Sequence, residues 1–213
     1  MTKQSRFLFS IPYFIWLLLF VVTPLGMIFY KSFFDINGQV TLGNYTNYFA
    51  SGNYLEMTFN SVWYAFLVTL VTLLVSYPTA LFLSRTKHKQ LWLLLIILPT
   101  WVNLLLKAYA FIGIFSQTGT VNNFLSLFGL APQEFLFTDF SFLTVAAYIE
   151  LPFMILPIFN SIEELPSSLI AASRDLGATK WDTFRRVIFP LTMSGVRSGV
   201  QAVFIPSLSL FML

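Results

Sequence analysis

Cysteine, histidine and charged residues are scarce in this sequence, and each scarcity excludes a class of site. The chain has no cysteine, which excludes a disulfide framework and any thiolate metal site. Its one histidine, His88, lies among lysines in a short polar turn. No G-x-x-x-x-G-K-[ST] sequence occurs, so the chain lacks a P-loop for nucleotide phosphates. The net charge of +3 is too small to indicate nucleic acid, and we expect no metal, cofactor or nucleic-acid partner.

Apolar residues dominate instead, at 57% of the chain, with 18% aromatic residues, only 10% charged residues and a mean hydropathy of +0.76. Apolar runs lie at about 7–30, 58–83, 91–115, 141–160 and 191–213. Each is close to the roughly 20 residues that a helix needs to cross a bilayer. The first run resembles a signal peptide, but it is long and no small-residue cleavage site follows it. The sequence predicts an all-α integral membrane protein with five spans in a single transmembrane domain over residues 1–213.

The basic residues predict the orientation of these spans in the lipid bilayer. They concentrate in the N-terminus, the second loop and the fourth loop: Lys3, Arg6, Arg85, Lys87, Lys89, Arg174, Lys180, Arg185 and Arg186. The first and third loops together hold only Lys31, against four acidic residues. Cytoplasmic loops carry an excess of lysine and arginine, so we expect the N-terminus and the fourth loop to be cytoplasmic.

The fourth loop, residues 161–190, is too charged to lie in hydrocarbon, and it has the pattern of two short helices. Pro166 suits a first helical position, and Gly177 suits the left-handed residue that ends a helix. Thr179 and Asp182 have the spacing of a capping box that opens a second helix. Without further signals, such a pattern is also typical of an amphipathic helix on the membrane surface.

The spacing within this loop resembles the cytoplasmic loop of ABC importer permeases. The matching residues are Ala171-Ala172-Ser173, then Gly177 after three residues, Val187 after nine more, and Phe189-Pro190. The run 172–178, with Phe189-Pro190-Leu191-Thr192, is most similar to the spermidine/putrescine permease subunits. Three further stretches carry the same resemblance: Ser76-Tyr77-Pro78 with Ala80, Leu98-Pro99 with Trp101 and Asn103, and Leu151-Pro152-Phe153-Met154.

The resemblance implies a role for this loop and a set of partners. In that family the loop is a coupling helix that docks into a groove of the ATPase subunit. It therefore assigns coupling to Ala171, Ala172, Arg174, Asp175, Gly177 and Pro190. The family usually has glutamate where this chain has Ala171. The implied partners are a second homologous permease, two ATP-binding ATPase subunits and an extracytoplasmic polyamine-binding protein, and the implied location is the bacterial cell membrane.

The resemblance further implies a non-enzymatic transport subunit that works by alternating access. Related permeases continue into a sixth helix, whereas this sequence stops at Leu213 within an apolar run, so we expect a C-terminally truncated copy. Permeases for phosphate, sulfate, iron or other organic cations share the loop pattern and remain alternatives. A passive channel would have no use for a coupling loop, and an intramembrane enzyme would need paired polar residues at one depth.

One carboxylate is expected near the middle of the bilayer. Glu150 is the tenth residue of the fourth run, where a charge costs on the order of 2.5–3.5 kcal/mol on insertion scales. We interpret Glu150, with the aromatic side chains of Trp101 and Tyr148, as part of the path of a cationic substrate. A purely structural partnership of Glu150 with another helix is equally compatible with the sequence. Lys107 is expected nearer the outer boundary.

Overall fold

The computed structural model describes residues 3–210, with side chains from residue 10 onward. The described residues are mostly helical (79%) and contain no β-strand, only one isolated antiparallel bridge between Phe34 and Val40. The chain divides into two compact units, one up to Phe59 and the other from Asn60 onward. The predicted all-α class is confirmed.

The first unit contains the first membrane helix and the polar segment that follows it. Its helices are α1 (Lys3–Leu17), a π-helical turn (Leu18–Val22), α2 (Thr23–Lys31) and α3 (Gly43–Ala50). Between α2 and α3 the Asp35 carboxylate accepts the backbone N–H groups of Gln39, at 2.8 Å, and Asn37, at 2.9 Å. These hydrogen bonds, the one from Gln39 foremost, hold the pKa of Asp35 below its ordinary value.

The remaining helices begin with α4, which starts within the first unit and continues into the second. They are α4 (Gly52–Ser84), α5 (Lys89–Ile97), α6 (Leu104–Phe115), α7 (Thr120–Ser126), α8 (Asp139–Glu163), α9 (Ser167–Asp175), α10 (Lys180–Thr183), α11 (Phe189–Leu191) and α12 (Met193–Leu210). In the described residues, four helical stretches are long and apolar enough to cross a membrane, and there are five if the bent pair Lys180–Leu191 and Met193–Leu210 counts as one span. With the bent pair counted in this way, the number equals that of the predicted spans.

The predicted third span, 91–115, is not one helix. After α5 a 3-10 turn runs from Leu98 to Trp101, and Val102 then takes an extended conformation. Pro99 cannot donate a backbone hydrogen bond, which favours this interruption. Asn103 opens α6, because its side-chain oxygen accepts the N–H of Leu105 at 2.8 Å.

The fifth predicted span, 191–213, has a different beginning from the one expected. The helical pair bends by 58° at Thr192, and α12 begins at Met193. Residues 211–213 of that span lie outside the described residues.

Three helices of the second unit, α4, α8 and α12, form its hydrophobic core. Its members include Val68 and Ala80 on α4, Met154 and Ile158 on α8, and Val203 on α12. Glycines on α12 allow a close approach to α8: a Cβ at Gly195 would lie 2.5 Å from the carbonyl oxygen of Pro157, and one at Gly199 would lie 2.7 Å from the sulfur of Met154. The small-xxx-small pair seen in the sequence therefore packs directly against α8.

Candidate coupling site and transport path

The segment 165–191 folds as two short helices joined by a tight turn. Pro166 is the residue before α9, with an extended backbone, and not the first helical residue as predicted. Gly177 has φ +82°, as predicted for a left-handed residue. Its N–H donates to the carbonyl of Arg174 at 2.9 Å, and the Ala178 N–H donates to that of Ser173 at 3.1 Å. These two bonds complete a Schellman motif, which stops α9 at a fixed angle.

The second short helix begins at the predicted capping box. The Thr179 hydroxyl oxygen accepts the backbone N–H of Asp182 at 3.1 Å, and the Asp182 carboxylate accepts that of Thr179 at 3.3 Å. Asp182 also lies 3.8 Å from the guanidinium of Arg186, one turn later. The capping prediction is confirmed. The turn between α9 and α10 therefore has backbone hydrogen bonds at both of its ends.

A side-chain contact joins the two helices directly. The hydroxyl oxygens of Ser173 on α9 and Thr183 on α10 lie 3.0 Å apart, and Thr183 is buried. Beside them is an open cleft of about 380 Å³. Its lining residues are Ser173, Leu176, Gly177, Ala178, Asp182, Thr183, Arg186 and Val187.

Most of the predicted coupling residues lie together on the exposed surface of this segment. Ala171, Ala172, Arg174 and Asp175 are exposed on α9, and Gly177 follows them at the turn. Pro190 is also exposed, but it lies in α11 and does not line the cleft.

Two exposed apolar side chains on this segment were missing from the predicted site. Leu176 is 89% exposed and Trp181 is 66% exposed. Leu176 belongs to an apolar series at helical spacing with Leu165, Leu169 and Ala172, so its helical face could be read from the sequence. No signal marked Trp181. Exposed leucine and tryptophan beside charged residues are typical of a protein-binding surface.

Behind α10 the segment is anchored to α4 by aromatic rings. A π-helical turn, Phe184–Ile188, follows α10. The ring of Phe184 stacks on Trp181 at 5.4 Å and meets Tyr77 of α4 edge-on at 5.9 Å. Phe189 lies 5.6 Å from the ring of Tyr77. The segment 165–191, named the coupling segment below after its predicted role, is thus packed against α4, a candidate membrane span distant in sequence.

The start of the coupling segment has a second connection within the second unit. Lys89, at the beginning of α5, forms an ion pair with Glu163, at the end of α8. Both side chains are partly exposed, so the pair contributes at most about 1 kcal/mol to stability. The pair shows that the second predicted cytoplasmic turn lies beside the entry to the segment 165–191.

The predicted path residues occupy different environments. Trp101 is 81% exposed at the break of the third span, and Tyr148 is 38% exposed, with its ring 5.1 Å from that of Phe111 on α6. Glu150 is only 5% exposed. It lies one turn before Met154, on the face of α8 that packs against α12.

Lys107 follows the break of the third span. The expectation that it lies nearer the outer boundary assumed one continuous helix from Leu91, whereas the break at Val102 makes Lys107 the fourth residue of a new helix. Its depth in the membrane relative to Glu150 stays a prediction.

The architecture defines the class of the protein: it is the fold of the permeases of bacterial ABC transporters. One solved structure, of a bacterial ABC transporter that imports the acidic polysaccharide alginate, matches 89% of this chain and 68% of its own, with a TM-score of 0.74 and 20% identity. Another, of the alginate transporter with its pentasaccharide-bound periplasmic protein, matches 99% and 93%, with a TM-score of 0.73 and 16% identity. At these identities the likeness concerns the fold only.

The family follows from a comparison with curated sequences. The spermidine/putrescine transport system permease protein PotB of Escherichia coli strain K12 is 39% identical over 206 residues, which cover 92% of this chain and 74% of the relative. No family model matches the chain. This chain belongs to the family of spermidine/putrescine transport system permeases.

Proposed function

We propose that this chain is the membrane-spanning permease subunit of an ATP-driven importer for spermidine and putrescine. The observation that carries the proposal is the rigid two-helix segment with exposed Leu176 and Trp181, in a chain of the PotB family. A membrane protein that only formed a pore would gain nothing from a structured, apolar-tipped segment of this kind. The polyamine substrate comes from the family relationship.

The coupling segment is the proposed contact with a separate ATPase subunit. Leu176 and Trp181 provide apolar area for a groove, and the neighbouring Arg174 and Asp175 provide charge of both signs around it. ATP hydrolysis then occurs on the partner, and Ala171, Ala172, Gly177 and Pro190 shape the docking surface and its angle. The N-terminus and this segment face the cytoplasm, in keeping with the distribution of basic residues.

The remaining partners follow from the mechanism of such an importer. A second homologous permease completes the cavity, a second ATPase subunit completes the ATP-binding pair, and an extracytoplasmic binding protein delivers the polyamine. Residues 1–213 act as one transmembrane domain in this assembly. When the ATPase pair closes, the coupling segments move with it and the cavity changes the side to which it opens.

The proposed path for the cation includes Trp101, Tyr148 and Glu150. The exposed rings of Trp101 and Tyr148 are suited to attract an ammonium group through their π faces. Glu150 is buried behind the surface, so its charge acts across the wall of the path and does not bind the substrate directly.

An uptake experiment tests the proposal. Cells without their own polyamine uptake receive this chain with its partner permease, ATPase and binding protein, and accumulation of labelled spermidine is measured. We expect ATP-dependent uptake that unlabelled putrescine inhibits and that phosphate, sulfate and iron leave unchanged. Inhibition by one of those other solutes, with none by putrescine, would replace the polyamine assignment by the corresponding alternative.

A further inference from the structure

The bend between the coupling segment and α12 is held by a buried hydrogen bond from another helix. The helical axis turns by 58° between Leu191 and Met193, so Thr192 occupies the bend. Thr192 is fully buried, and its hydroxyl oxygen lies 2.7 Å from that of Tyr77 on α4. These two residues are 115 positions apart in the sequence.

The direction of this hydrogen bond follows from the other contacts of Thr192. The Thr192 hydroxyl lies 2.9 Å from the carbonyl oxygen of Ile188 and 3.2 Å from that of Phe189, and it donates its single proton to them. Tyr77 therefore donates its proton to Thr192. The hydrogen bond thus links the residue that follows the coupling segment to α4, with Tyr77 as donor and Thr192 as acceptor.

Tyr77 also occupies a weak point of its own helix. Pro78 follows it inside α4 and cannot donate the hydrogen bond that would continue the helix. A force applied to Tyr77 therefore acts where α4 bends most easily. The rings of Phe184 and Phe189 pack against the Tyr77 ring beside the bend.

We propose that Tyr77 is a positioning residue that makes the coupling segment, the start of α12 and the cytoplasmic half of α4 move as one body. This inference rests on the proposed function and extends it, because it names the joint through which movement of the ATPase would reach the membrane helices. The competing interpretation is that the bond only satisfies two buried polar groups.

Single and double variants separate the two interpretations. Tyr77→Phe removes the hydroxyl but leaves Thr192 bonded to its two carbonyls, so the assembled transporter keeps its yield and basal ATPase activity. Thr192→Val strands the buried Tyr77 hydroxyl and lowers the yield. The double variant removes both groups and restores the yield. Thr192→Ser keeps the hydroxyl and serves as the conservative control.

The decisive measurement is spermidine transported per ATP hydrolysed, by the complete transporter in proteoliposomes with its binding protein. We expect Tyr77→Phe and the double variant to lose about 3- to 10-fold in this ratio, the effect of one hydrogen bond, and Thr192→Ser to retain it. A normal ratio in Tyr77→Phe, or a double variant that recovers yield and ratio together, would overturn the proposal.

A second readout does not depend on the substrate. The chain has no native cysteine, so spin labels can be placed at Ser168→Cys on α9 and Arg85→Cys after α4. With Tyr77 intact, we expect a narrow distribution of distances between the labels that ATP does not change. In Tyr77→Phe, we expect this distribution to broaden or shift on ATP binding. Equal behaviour of the two would contradict the proposal even in a transporter whose substrate is not a polyamine. Absence of spermidine uptake by the unmodified complex, with the distances as expected, would refute only the proposed substrate.

Discussion

The hydroxyl groups of Ser173 and Thr183 lie 3.0 Å apart and join the two short helices of the coupling segment. Together with the Schellman turn at Gly177, this contact makes the coupling segment a single structural unit and not two independent helices. In the proposed mechanism, an ATPase that moves one of the helices would therefore move the other, so we expect the angle between them to matter for coupling.

Substitution of Gly177 tests this angle. Gly177 has φ +82°, and nothing lies within 4 Å of the position of an added Cβ, so a side chain there meets backbone strain but no steric clash. Gly177→Val is expected to cost roughly 1–2 kcal/mol locally and to uncouple uptake from ATP hydrolysis while membrane insertion persists. Gly177→Asn is the matched control, because asparagine tolerates left-handed backbone. Normal uptake by the valine variant would remove the coupling role of this turn.

Leu176, the exposed leucine of the coupling segment, is expected to contribute to ATPase binding. Leu176→Ser should weaken association with the ATPase subunit about tenfold, a loss typical of an apolar anchor in an interface. Leu127→Ser is the control, because Leu127 is also exposed, at 78%, but follows α7 in the third loop. The measurement is the amount of ATPase that co-purifies with the permease in detergent. Equal losses in both variants would show a general effect on the membrane protein.

The glycines of α12 should differ in their tolerance of alanine. Gly195→Ala places a Cβ 2.5 Å from a backbone oxygen, which cannot move independently, and should cost about 1–3 kcal/mol. Gly199→Ala first meets the flexible sulfur of Met154 and should cost less. Gly113→Ala on α6 meets nothing within 4 Å and should be neutral or stabilising. Thermal unfolding in detergent should rank the variants in this order; a lower melting temperature for Gly199→Ala than for Gly195→Ala would contradict the packing.

Cysteine labelling tests the orientation in the membrane. His88 and Ile36 are exposed on the second and first loops, so His88→Cys should react only from the cytoplasm and Ile36→Cys only from outside. Asn122, in the third loop, is unsuitable because it is buried and its amide is bonded to the backbone of Ser116 and Gln133. Labelling of both positions by an impermeant reagent in intact cells would contradict the predicted topology.

Neutralisation of Glu150 tests the proposed path. Glu150→Gln removes the charge of the side chain, so uptake should fall severalfold. It keeps the shape of the side chain, so assembly and basal ATPase activity should persist. Failure of Glu150→Gln to assemble would assign the residue a structural role instead.

The local features of this protein were predictable from the sequence, and the long-range contacts were not. The capping box at Thr179 and Asp182 and the left-handed Gly177 depend on neighbours a few positions away, so their residue types suffice. The break at Val102 was missed because Pro99 within an apolar run is equally compatible with a kinked, continuous helix.

The contacts that build the site come from residues far apart in the chain. Tyr77 and Thr192 carry no local signal of their pairing, because either residue alone is ordinary in a membrane helix. The position of Lys107 near the start of a new helix depends in turn on the break that the sequence did not reveal.

The burial of Glu150 has a consequence for biosynthesis. During translation α8 enters the membrane before α12 exists to cover it, since Met193 is added about forty residues later. At roughly 5–20 residues per second, the carboxyl group spends several seconds beside lipid or the insertion machinery.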